Sequence, residues 1–98
     1  MNKDDLLTPS EELFERGQLV ATQGAIEATN PESLLILCQR HLSGDWGDIC
    51  EEDKEQNDEA LKLGNRVLSS YNLPEGGKVW VITEWDRSVT TILLPGEY

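Results

Sequence analysis

Apolar positions along the chain change their spacing several times, and each spacing predicts a different element. Leu19-Val20-Ala21-Thr22, set between Gly17 and a Gln23-Gly24 turn, predicts a short strand. Ala25 to Thr29 follows as a brief helical turn. Asn30-Pro31 then marks a helix start, because Asn caps free backbone N–H groups and Pro is preset for the first helical position. Leu34, Leu35, Cys38, His41 and Leu42 continue at helical spacing, and Gly44 offers a stop. The unbroken run Leu34–Cys38 also fits a buried strand. A second helix is predicted from about Glu51 to Leu63, with Gly64 closing it. Counted back from Gly64 in steps of three and four, its inward stripe is Leu61, Ala60, Asn57 and Asp53. Half of that stripe is polar. Asp53 and Asn57 are thus expected to face the protein, where an unpaired buried group costs about 1–3 kcal/mol.

The last third alternates at period two and reads as a three-stranded meander, roughly Arg66–Asn72, Lys78–Trp85 and Val89–Leu94. Pro74-Glu75-Gly76-Gly77 and Asp86-Arg87-Ser88 supply the turns. Val79, Trp80, Val81 and Ile82 are apolar on both faces, which places the middle strand centrally. The expected fold is α+β: an antiparallel sheet, formed by this meander plus the short N-terminal strand, with two helices on one face. Residues 1–98 are expected to form a single domain, with residues 1–12 loosely ordered. No repeat or linker interrupts it.

Charge changes the picture more than composition does. The chain has 98 residues and a net charge of −11. Residues 1–59 carry four Lys/Arg against fifteen Asp/Glu, whereas residues 60–98 carry four of each, so the whole excess lies in the first part. No basic stripe exists to displace counterions, which argues against direct nucleic-acid binding. An acidic face that keeps the protein in solution and an acidic face that meets a partner's basic groove are both compatible with this split. The longest apolar run is far shorter than the ~18 residues of a membrane span, and the start Met-Asn-Lys-Asp-Asp lacks a signal-peptide core. Cys38 and Cys50 suit reduced thiols, so a cytoplasmic setting is expected.

Two polar stretches carry the candidate chemistry: His41 to Asp48, and Thr83 to Thr91. His41 has the chemistry of a general base, with Asp45, Asp48 or Glu84 to orient it, and Ser43, Ser88, Thr90 and Thr91 are the available hydroxyls. None of these sits in a recognised nucleophile motif. The opposing reading is a helix-terminal His that fastens the loop. Cys38-X-X-His41 offers two zinc ligands on one helical face, but no second such pair exists, and neither metal nor cofactor is expected. Asp86-Arg87-Ser88 reads as a turn closed by side-chain hydrogen bonds. Arg87 is expected to bridge carboxylates from Asp45, Asp48, Asp53 and Glu84, fastening the Trp46 loop to the sheet. Asn57 is expected to bond the Ser43–Asp48 loop or the Trp85–Ser88 turn. The candidate set is therefore His41, Asp45, Trp46, Asp48, Asp53, Asn57, Glu84, Asp86, Arg87 and Ser88.

Several segments resemble one family across nearly the whole chain from Gly17 to Tyr98. They include Leu19 through Ala25, Arg40-His41 through Trp46-Gly47-Asp48, and Glu52-Asp53 with Asn57 and Ala60-Leu61. Gly64, Ser70-Tyr71, Trp80 through Glu84, and Asp86 through Pro95 with Glu97-Tyr98 complete the pattern. Cys38, Cys50 and Trp85 lie outside it. The family comprises small proteins of bacterial plasmids, integrative elements and prophages, often loosely labelled plasmid-related proteins or small subunits of type I restriction–modification systems. The resemblance implies a mobile-element setting and no particular reaction. A complete methyltransferase is excluded, since the chain lacks a Pro-Pro catalytic loop and its Gly76-Gly77 lies in a hairpin turn. Two functions follow from these readings. One is a small acidic, non-enzymatic interaction protein whose protein partner has a basic surface, for example a nucleic-acid-handling host factor. The other is a small enzyme or ligand-binding domain using the His41/Asp45/Asp48 and Glu84/Asp86/Arg87 loops.

Overall fold

The computed structural model describes residues 12–74 and 76–98. The loose ordering expected of residues 1–12 thus falls, Glu12 apart, outside the described residues. Among the described residues four strands and three helices follow one another as β1 (Gln18–Ala21), α1 (Gln23–Ala28), α2 (Pro31–Leu42), α3 (Glu51–Leu63), β2 (Val67–Asn72), β3 (Lys78–Thr83) and β4 (Val89–Leu93). A 3-10 turn at Pro95–Glu97 ends the chain. The fold is α+β, with the helices on one face of the sheet and α3 at its β2 edge.

Local chemistry sets the helix limits. Asn30 Oδ1 accepts from the Ser33 N–H at 2.8 Å, and Pro31 opens α2. Gly64 stops α3 in the left-handed region, φ 73°, with its N–H returned to the Ala60 carbonyl. Glu51, Glu52 and Asp53 occupy the first turn of α3, where the helix dipole favours anions. The short α1 is a true helix, capped by the Thr22 hydroxyl oxygen.

The sheet order is β1-β4-β3-β2, and β2, β3 and β4 form the antiparallel meander. The expected fully antiparallel sheet needs one correction: β1 runs parallel to β4. The helices return the chain to the end of the sheet where β1 began, so β2 points the same way as β1. Two hairpin reversals then restore that direction in β4.

The main core joins Ala25, Leu37, Cys38 and Leu42 to Tyr71, Val79, Val81 and Ile92. A smaller cluster of Trp46, Ala60 and Val67, packed by Phe14, Ile49 and Leu61, lies under α3. On the sheet's other face the C-terminal turn folds back, with the Tyr98 ring edge-on to Trp80 at 5.8 Å between centroids.

Candidate functional site

His41, from the last turn of α2, is completely buried. Its Nδ1 lies 2.5 Å from Ser69 Oγ of β2, and its Nε2 lies 2.9 Å from Thr83 Oγ1 of β3. Thr83 in turn meets Thr90 Oγ1 of β4 at 2.6 Å, and Thr90 donates to the Arg16 carbonyl at 2.8 Å. Counting protons fixes the tautomer. Thr90 spends its proton on Arg16, so Thr83 must donate to Thr90, and Nε2–H must donate to Thr83. Nδ1 is left to accept from Ser69. Burial above all, with the Arg87 charge, pushes this imidazole down to about 3, so it is neutral. Phe14 and Trp46 pack edge-on against the ring at centroid distances of 5.3 and 5.7 Å. His41 therefore ties α2 to β2 and β3 directly, and to β4 through Thr83. No carboxylate orients it, contrary to the general-base expectation, because both nitrogens are engaged by hydroxyls.

The loop after α2 runs alongside the outer edge of β2. Arg40 holds Asp45 in a half-exposed ion pair at 2.7 Å, which keeps that carboxyl below its usual range. Asp45 also accepts from the Gly47 N–H, and its carbonyl takes the Tyr71 hydroxyl. Trp46 is buried, with its indole N–H on Asp58 of α3 at 3.1 Å. Asp48 donates its backbone N–H to the Ser70 carbonyl at 2.6 Å and accepts the Asn72 N–H at its carboxylate. The Ser70 N–H reaches the Trp46 carbonyl. Gly47 sits between them at φ 78°, where an added Cβ would lie 2.1 Å from the Ser70 carbonyl oxygen. Only glycine allows this approach.

Asn57 completes that edge. It is buried, as its helical position implied, but its partner is neither expected segment. Its side chain donates to the Leu68 carbonyl at 2.7 Å and accepts from the Leu68 N–H at 3.2 Å. An amide has the same donor–acceptor pair as a backbone peptide, so it extends the ladder of an edge strand. Asp53, expected to face inward, is exposed, because α3 lies beside β2 and buries only Asn57 and Ala60 fully.

Arg87 also departs from expectation. Its guanidinium meets carbonyls: Asn65 at 2.7 Å, Glu84 at 3.1 Å and Ala60 at 3.4 Å. Phe14 lies under it, 5.3 Å from ring centroid to the charge centre. Carbonyl oxygens at and just beyond the C-terminal end of α3 attract a cation as a carboxylate does, and they carry no sequence signature. Arg87 has φ 60°, the one positive value outside glycine among the described residues. Asp86 closes this turn through the Ser88 amide and hydroxyl, as expected. Glu84 contributes its carbonyl to Arg87.

Beside the direct His41–Thr83 bond, Phe14 also links the two polar stretches, since it touches Arg87, His41 and Trp46. As a lone aromatic in a charged segment, it was the available signal. Ser69 was hidden, because a serine within a strand carries no sign of a buried partner; Thr83 opens the second polar stretch, but nothing in the sequence pairs it with His41.

The open chemistry of the surface lies elsewhere. A groove of about 500 Å³ runs between α3 and β2, lined by Asp53, Gln56, Glu59, Asn65 and Arg66 among others. A second, of about 490 Å³, lies between the α1–α2 junction and the β2–β3 turn. Among the described residues no three His, Cys, Asp or Glu side chains gather as metal ligands. Cys38 is buried, its thiol pushed up mainly by that burial, and Cys50 is exposed. Among the described residues no helix is long and apolar enough to cross a membrane. No family model, curated protein or solved structure matches the chain.

Proposed function

We propose that the protein is a non-enzymatic interaction module that docks on a basic surface of a partner protein through α3. The carrying observation is the exposure of every acidic residue of that helix: Glu51, Glu52, Asp53, Glu55, Asp58 and Glu59. The neighbouring groove adds side-chain amides at Gln56 and Asn65, which suit the N–H groups of Lys or Arg. Burial of His41, with both nitrogens engaged, favours this reading over a catalytic one. The resemblance to small plasmid-related proteins makes a nucleic-acid-handling factor of the bacterial host the natural partner, its basic groove covered by the acidic helix. Co-purification from host lysate, at low salt and at about 0.15 M, tests this. A basic protein is expected at low salt, weakened at the higher salt and lost when Glu51, Glu52, Glu55 and Glu59 are changed to Gln. Retention that ignores both salt and these substitutions, or no partner at either salt, would overturn the proposal.

A further inference from the structure

Among the described residues, the outer edge of β1 is open. Gln18 and Thr22 donate their N–H groups to the Ser88 and Ile92 carbonyls, at 2.9 and 3.0 Å. Strand alternation then turns the N–H and C=O of Leu19 and Ala21 away from β4. Among the described residues β1 has no second strand neighbour, and none of them bonds those outward atoms. Edge strands are usually guarded by a charge, a proline or a bulge. Gln18-Leu19-Val20-Ala21 has none of these. It lies inside Gly17–Ile26, the longest uncharged run of the chain. The apolar side chains around it are incompletely covered. Leu19 and Ala21 face the core yet are only half buried, Val20 is 37% exposed on the other face, and Ile26 of α1 is 44% exposed.

We propose that β1 pairs antiparallel with β1 of a second copy of the chain, joining two four-stranded sheets into one continuous sheet. Charge selects this occupant. Two copies, each with net charge −11, repel wherever their acidic surfaces meet. The uncharged run is where they approach with least repulsion. A basic partner has no electrostatic reason to choose it and is drawn to α3 instead. Backbone directions also fix the register. With the two-fold axis through Val20, Leu19 of one copy exchanges N–H···O bonds with Ala21 of the other, and the reverse. The two Val20 side chains then meet directly across the axis, covering each other.

Sedimentation and amide exchange from micromolar to millimolar concentration test the pairing. The dimer fraction is expected to rise with concentration and also with salt, because salt screens the repulsion. That salt response is opposite to the one expected for partner capture, so the two proposals fail separately. On dimer formation the Leu19 and Ala21 amides should slow in exchange by about tenfold or more. Val20→Lys, which sets like charges face to face at the axis, should return the protein to monomer with an unchanged circular dichroism spectrum. A protein that stays monomeric throughout would overturn the proposal. So would a dimer whose Leu19 and Ala21 amides still exchange freely, a reading on the unaltered chain that needs no variant. Persistence of the dimer in folded Val20→Lys would do the same.

Discussion

Between Leu68 and Asn72, the outward N–H groups of β2 all find partners elsewhere in the chain: the Asn57 amide, the Trp46 carbonyl and the Asp48 carboxylate. The matching groups of β1, at Leu19 and Ala21, find none among the described residues. The burial beneath differs in step. Val67, Ser69 and Tyr71 are sealed at one end of the sheet, while Leu19 and Ala21 are half covered at the other. Much of the polar density that looks like a reaction site in the sequence is spent on closing one edge, and the reactive backbone is left where side chains are least polar. Density of functional groups is thus a poor guide to exposed chemistry, because peptide groups at an edge need partners as much as a substrate does.

The closed half should fail first in acid. His41 joins α2 to β2 and β3, and its folded pKa of about 3 lies below the ordinary 6.5. The unfolded chain therefore binds a proton that the folded chain refuses. Stability is complete above pH 6.5, falls as the pH drops toward 3 and levels off below it. The slope is at most about 1.4 kcal/mol per pH unit, for a total approaching ~4–5 kcal/mol. Urea unfolding of the wild type and His41→Gln between pH 7 and 5, above most carboxylate titration, isolates the effect. Equal pH slopes in the two proteins would show that His41 is not held neutral.

Gly47→Ala attacks the seal directly. A Cβ 2.1 Å from the Ser70 carbonyl oxygen, at φ 78°, forces the loop off β2. A loss of at least about 3 kcal/mol is expected in denaturant melts, with faster amide exchange at Ser70 and Asn72. A loss under about 1 kcal/mol would mean the loop moves aside freely and the edge is not closed by it.

Asn57→Leu removes one partner pair and leaves the rest of the seal. Leucine is more apolar, yet it strands the Leu68 N–H and C=O, so a loss of about 2 kcal/mol is expected. Asn57→Asp retains only the acceptor and should leave the Leu68 carbonyl unpaired. If Asn57→Leu is neutral or stabilising, water satisfies that edge as well as the amide does.

These substitutions also mark what the sequence could disclose. Asn30-Pro31 and Gly64 announce helix limits because capping is local chemistry, and the period-two blocks announce the meander. Helical phase likewise placed Asn57 inward. It did not reveal the Leu68 peptide as its partner, because backbone groups are present at every position and leave no trace in residue type. Phase alone misplaced Asp53, since it does not say how wide a stripe a helix at a sheet edge will bury. The parallel pairing of β1 depends on where the helices return the chain, which is a property of the whole path. A buried His with hydroxyl partners has the same composition as a catalytic one. Only the burial of the ring separates them.

Arg87 adjoins both halves of the comparison, and its side chain and backbone can be separated. The guanidinium serves the closed side, reaching the Ala60 and Asn65 carbonyls at the end of α3. The backbone serves the open side, where the Ser88 carbonyl receives the first N–H of β1 and Gly17 packs against both the Arg87 and Ser88 carbonyls. Arg87→Ala removes the first contribution and keeps a side chain at φ 60°; a loss of about 2 kcal/mol is expected, typical of hydrogen bonds from a charged group. Arg87→Gly removes the same bonds but relieves the left-handed strain, so it should lose roughly 1 kcal/mol less than Ala. Its remaining deficit should appear as faster exchange in the last turn of α3, with β1 unaffected. The measurement is a pair of urea melts with residue-resolved exchange. If Arg87→Gly proves less stable than Arg87→Ala, the turn is not strained, and the left-handed residue is no part of what holds β1 in place.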